Sequence, residues 1–213
     1  MPRDATRTRE LLVRAGERRF ARDGVSGARL ADIVGEAHQA NDSAVGYHFG
    51  SREGLLRAIV DKHMAAMEDA RAASMARLPN ADLAEVVDLV VGPTAARLLS
   101  PSGRDFLRIT EQLAGYSGVR AGRPALAISG TVLAAQLARL EEVLRDRLTR
   151  QAARERVGAL VTFLTASLAE RARSVEAGGR QRVAHQRFVD DLVAMLTAAM
   201  EARASVPAAR APR

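Results

Sequence analysis

The residues best equipped for chemistry lie together in Ala37 to Gly50, reading AHQANDSAVGYHFG, and in the Ser51-Arg52-Glu53-Gly54 that follows. Asn41 can pair bidentately with an adenine edge, Ser43 can donate or accept, and Ala44 can touch a thymine methyl, all of them pairings that a DNA major groove offers. Spacings of three and four put the residues of a helix's first turns on one face, which makes Asn41, Ser43, Ala44 and Gly46 the candidates for groove contact. Gly46 has no side chain, so its part would be close approach. Ser51 is placed to cap the next helix, whose free amides and dipole attract an anion, and Arg52 adds a full charge beside it. Together they read as a phosphate clamp, or more plainly as an ordinary capped surface helix.

The elements that must hold these residues can be read from the flanking pattern. Leu30, Ile33, Val34 and Ala37 recur at helical spacing, so the local order is helix, tight turn, short helix and then a long helix starting at Ser51. That order is the outline of a helix-turn-helix. A preceding helix is expected from about Thr6 to Arg22, with Leu12, Ala15 and Phe20 inward and Gly24 just past its end. Arg3, Arg7 and Arg9 stand at the leading end, where an arm would reach phosphates or a minor groove.

Residues 7 to 60, about a quarter of the chain, resemble the DNA-binding domain of the TetR family of transcriptional regulators. The resemblance rests on Phe20 and Gly24 at the end of the first helix, Ile33 in the second, the turn, and Tyr47-His48-Phe49-Gly50 ahead of Ser51-Arg52-Glu53. Gln39, Asn41 and Ser43-Ala44-Val45 resemble one branch of the family in which the turn is a residue longer. It implies an all-α fold: a three-helix DNA-binding domain over 1–60, joined to a larger helical ligand-binding and dimerisation domain over 61–201. It also implies that the Tyr47 hydroxyl and the His48 imidazole hold phosphates, although Tyr47 packed on the first helix is the simpler alternative; Phe49 is expected in the core. Four positions depart from the family pattern. His38 stands where glycine is usual, Arg29 replaces a Ser or Thr helix cap while remaining among the DNA-facing candidates, and Gly46 lies inside the recognition helix. Arg19 replaces an apolar residue, so its stem is expected to snorkel.

Composition narrows the classes of function. A chain of 213 residues that is 47% hydrophobic can bury a real core, and its scarcity of aromatic residues beside abundant Ala, Leu and Arg favours helix. The absence of Cys rules out disulfides, thiol catalysis and thiolate metal sites. No apolar leader is visible, and the longest uncharged stretch, Pro124 to Ala138, is too short and too polar to span a membrane, so a cytoplasmic protein is expected. The net charge of +7 is unevenly spread: residues 1–50 hold eight Arg against seven acidic residues, whereas 101–213 hold 18 against 11. The four His show no metal-binding spacing, and no phosphate loop, nucleophile elbow or nicotinamide fingerprint is present. Neither cofactor nor catalysis is expected; His48 with Asp61 and His63 with Glu68 are the acid-base pairs that can be imagined.

Downstream, Pro79-Asn80 is expected to end the connecting helix and Asp82 to open the next, with Pro93 kinking or splitting it. Pro101-Ser102-Gly103 precedes a helix marked by Phe106, Leu107, Ile109 and Leu113, and 125–148 reads as a long helix. Met64, Met67, Val90, Phe106, Ile109, Leu113, Tyr116 and Leu133 are candidates to line a ligand pocket, with Arg108, Thr110 and Gln136 as polar contacts; plain core is the competing reading. Val157, Val161, Leu164 and Leu168 form one apolar stripe, and Phe188, Leu192, Met195 and Ala199 form another. These stripes suit either internal core or a two-fold four-helix interface, and the family resemblance tips them toward a homodimer. Residues 202–213 read as a disordered tail. The expected partners are palindromic double-stranded DNA and a small-molecule effector that releases a repressor. The alternative is a ligand-independent helical adaptor for acidic partners or a membrane surface.

Overall fold

A computed structural model describes residues 2–39, 43–116, 130–178 and 183–203, and every regular element in them is helical. In chain order these are α1 (Pro2–Asp23), α2 (Leu30–Glu36), α3 (Ser43–Phe49), α4 (Arg52–Ala72), α5 (Leu83–Ala95), α6 (Pro101–Tyr116), α7 (Val132–Leu144), α8 (Arg150–Glu176) and α9 (His185–Glu201). Single 3-10 turns cover Leu78–Asn80 and Ala96–Leu99. Among the described residues no helix is long and apolar enough to cross a membrane.

Local chemistry explains many of the boundaries. Ser51, Asp82, Thr131 and Thr149 each accept a backbone N–H three residues on, and Asp82 completes a reciprocal capping box with Glu85. The backbone turns left-handed at Gly24 (φ 88°) after α1 and at Gly178 (φ 69°) after α8. Between α3 and α4, a Cβ on Gly54 would lie 1.9 Å from the Phe49 carbonyl oxygen, so only glycine permits so tight a junction.

Two apolar clusters form. The N-terminal one gathers Leu12, Ala15 and Phe20 of α1, Ile33 and Val34 of α2, Val45 of α3, and Leu55 and Ile59 of α4. It also takes Ile109 from α6. Full burial of each large side chain contributes roughly 1.5–3 kcal/mol, so the N-terminal helices are held partly by a helix well outside them in sequence. The second cluster is built from α5, α7, α8 and α9, around Val86, Val90, Leu140, Leu160, Leu168, Leu192 and Leu196. α4 runs through residue 60, the expected domain boundary, without a break.

Several expected boundaries move. α1 begins at Pro2, so Arg7 and Arg9 ride on a helix instead of a free arm. The connecting helix ends at Ala72, and hydrogen-bonded turns, not further helix, carry the chain to Pro79. Pro93 is tolerated inside the last turn of α5, where the helix then tightens into the 3-10 turn. Residues 117–129 and 204–213, with most of the expected tail, lie outside the described residues.

Candidate nucleic-acid interface and ligand cavity

α3 presents a polar, open face over a buried Val45. Ser43, Gly46 and Tyr47 are exposed, while Ala44 and His48 are half-buried. Tyr47 is 82% exposed, which excludes packing on α1 and leaves its hydroxyl outside the fold. Its ring meets His48 edge-on at 4.9 Å. Nothing lies within 4 Å of a Cβ placed on Gly46. Phe49 packs on the N-terminal cluster, with the Arg9 guanidinium 5.1 Å from its ring centre. Asn41 lies outside the described residues. His38, which is exposed, takes a left-handed conformation at φ 53°, the conformation for which the family resemblance expects glycine at this position.

α2 is clamped from behind: Glu36 is held by both Arg18 and Arg19 of α1. Burial opposes ionisation of Glu36, yet these two guanidinium groups hold its carboxyl below the ordinary value. Arg29 is exposed at the start of α2 and makes no side-chain cap, in keeping with its being a poor capping residue.

The expected clamp at α4 is altered by the structure. Ser51 does cap, accepting from Gly54 N at 3.0 Å. Arg52, however, turns inward, donating to the Ala28 carbonyl from Nε and Nη2 at 3.2 Å and to the Val25 carbonyl from Nη2. Its guanidinium also lies 5.0 Å from the Phe20 ring centre. Those carbonyls belong to a turn with no helical partners of its own, so Arg52 staples the α1–α2 connection to α4 rather than standing free for phosphate. Glu53 occupies the helix start as well, its carboxyl held down by its own amide and by Ser51.

Where α1, α4 and α6 meet, Glu17 is buried and accepts from Lys62 Nζ at 2.7 Å and Ser102 Oγ at 2.7 Å, with His63 Nε2 at 3.0 Å. Burial pushes the Glu17 carboxyl up, but the hydrogen bonds from His63, Lys62 and Ser102 outweigh it and leave it below its ordinary value. His63 stacks on Phe106 at 4.4 Å. The imagined pairing of His63 with Glu68 is therefore replaced by His63 with Glu17. This is also no nucleophile triad: the Ser102 hydroxyl and Glu17 both face the same ring nitrogen, so the carboxylate cannot orient the imidazole from its far side. His48 and Asp61 line one surface groove together with Arg9 and Lys62.

A cavity of about 470 Å³ lies between α4, α5, α6, α7 and α8. Of the expected lining, Met64, Met67, Val90, Phe106, Leu113, Leu133 and Thr110 are present. Ile109 is instead sealed in the N-terminal cluster, Arg108 pairs with Asp105 at 3.9 Å, and Gln136 is buried against Ser74 at 3.4 Å. The Tyr116 side chain lies outside the described residues. Sequence reasoning missed Arg71 and Thr94 in the wall, although Arg71 falls on the inward stripe of Met64 and Met67. α6 also reaches the α1–α2 connection directly: Gln112 Oε1 accepts from Val25 N at 2.6 Å.

The expected dimer stripe is largely internal. Val157, Leu164, Leu168 and Leu192 are buried within the single chain, Val161 lines the cavity, and Phe188 is half-buried beneath Arg171. The helical spacing identified the inward face of α8 and α9, which in one chain is already covered by α5, α6 and α7. Met195, at 50%, and Ala199 remain outward, as does Phe163, which the stripe did not include.

No protein-family profile and no curated protein sequence matches this chain. Among solved structures it is similar to a protein from Rhodococcus sp. assigned to the TetR family of transcriptional regulators, with a TM-score of 0.50 and 16% identity, over 92% of this chain and 100% of that one. A TetR-assigned protein from Mesorhizobium loti aligns with a TM-score of 0.46 and 15% identity, over 92% of this chain and 96% of the other. With its helix order and its long α4, the chain has the fold of the Rhodococcus protein, one assigned to the TetR family of transcriptional regulators.

Proposed function

We propose that this chain is a sequence-specific DNA-binding transcriptional regulator, acting in the cytoplasm as a homodimer on palindromic duplex DNA and not as a catalyst. The observation that carries the reading is α3: a short helix anchored by Val45 whose outer face, Ser43, Gly46 and the 82% exposed Tyr47, is open. Ser43 and Ala44 read base edges, Gly46 allows close approach, Tyr47 and His48 hold flanking phosphates, and the Ser51 cap and Arg29 lie at the margins. Arg52 acts from behind, by fixing the turn that positions α2.

One such helix reads only a few base pairs, so two copies would sit about 34–36 Å apart, or a multiple of it. Met195, Ala199 and Phe163 supply the outward apolar residues on α8 and α9 for the pairing. An effector in the cavity would touch α4 from Glu53 to Arg71, and α3 joins α4 directly at its first turn. A coupling of about 1–3 kcal/mol would suffice to release a repressor. Selection from random duplex DNA followed by footprinting tests the reading: a palindromic motif protected at moderate salt supports it. Binding without sequence preference, or equal binding to anionic vesicles, defeats it in favour of an adaptor.

A further inference from the structure

Arg71 does not fit the wall it belongs to. Met64, Met67 and Arg71 follow one another on α4 at spacings of three and four, so a guanidinium occupies a place the pattern reserves for an apolar side chain. Arg71 is 1% exposed. Its Nη2 donates to Thr94 Oγ1 at 2.9 Å, while Nε and Nη1 have no hydrogen-bond partner among the described residues. Glu68 approaches Nη1 only to 3.8 Å, and its carboxylate is taken by the backbone amides of Val132 at 2.6 Å and Leu133 at 3.4 Å. Burial pushes the Arg71 guanidinium down from its ordinary value, a sign that the charge is poorly compensated. Buried donors are normally answered, and unanswered ones in a cavity wall point to an absent acceptor.

The remainder of the wall defines what the acceptor is attached to. Leu56, Val60, Met64, Met67, Leu133 and Leu137 are apolar. The exposed stretch of α4 that lines the same cavity carries Glu53 and Asp61 on either side of Arg57, a net negative mouth, whereas the charge on Arg71 in the depth has no close counter-ion, which favours an anionic head turned inward. We propose that the cavity takes a ligand with an apolar body and a single carboxylate, the carboxylate accepting from the unanswered N–H groups of Arg71. This rests on reading the cavity as an effector site.

Calorimetric titration of the full chain with two matched pairs, decanoate with 1-decanol and 2-naphthoate with 2-naphthol, tests it. At least one acid is expected to bind about tenfold or more tightly than its alcohol, the preference a charge-assisted hydrogen bond gives. Arg71→Met should abolish that preference while leaving alcohol binding in place, and Arg71→Lys should retain part of it. Should Arg71→Met not fold, the wild-type pairs and Arg71→Lys still decide. Alcohols binding as tightly as acids, or acids binding Arg71→Met like wild type, overturn the charge assignment and leave the effector cavity standing. Binding by none of the four overturns both.

Discussion

Replacing Glu17 tests how firmly α1 is tied to α4 and α6. In Glu17→Ala, the His63 Nε2, buried against Phe106, loses its 3.0 Å acceptor and keeps only the Ser102 hydroxyl at 3.5 Å, and a buried group so poorly answered costs about 1–3 kcal/mol. The half-buried Ser102 hydroxyl adds about 1 kcal/mol. Lys62 is 47% exposed and turns to water at little cost. The total is about 3 kcal/mol, which for a chain of 213 residues lowers the thermal midpoint by about 6–12 °C. Glu17→Gln keeps the volume and one acceptor and should lose about half as much. Helical circular dichroism during heating measures both. The sign with pH follows from the lowered carboxyl: its stabilisation is fully present above the unfolded value of 4.5 and is lost as pH falls through the lower folded value. The gap between wild type and Glu17→Gln should therefore close on acidification. A Glu17→Ala protein within about 0.5 kcal/mol of wild type, the scatter of an ordinary surface change, refutes the reasoning, as does a gap that widens in acid.

Gly46→Ala should stabilise the free protein by about 1 kcal/mol, since alanine suits a helix interior better and nothing crowds the added methyl. The same change should weaken binding to the selected operator in a mobility-shift titration if close approach is what Gly46 provides. Tyr47→Phe should leave the melting curve unchanged, because the ring is exposed, yet lower operator affinity about fivefold to tenfold through one lost phosphate hydrogen bond. His38→Gly relieves the left-handed strain and should raise stability by about 0.5–1 kcal/mol in urea titration; destabilisation would show that the imidazole makes a contact that matters.

Much of the N-terminal helical unit is legible in the sequence because it is local. Leu30, Ile33, Val34 and Ala37 recur at helical intervals, and Ser51 and Asp82 announce helix starts through their own side chains. What escaped depends on distant partners. Arg52 looks like a free cation until the Val25 and Ala28 carbonyls are seen beside it, and Glu17 looks like a surface charge until α4 and α6 close over it. The stripe on α8 is plainly apolar, but spacing alone does not say which surface covers it: Leu164 and Leu168 are buried within their own chain. Arg71 was hidden because a periodic pattern tolerates one charged exception without explaining it.

The uninterrupted run of α4 makes it a pointer. Between Leu55 and Ala72 it holds neither glycine nor proline, so it has no built-in elbow. From Glu53 to Arg71 the stalk is about 27 Å long at 1.5 Å per residue, so a pivot of about 5° sweeps its tip by about 2 Å. In a symmetric pair the two tips would diverge together and double that displacement, detuning the pair from the pitch of the double helix with no local unfolding.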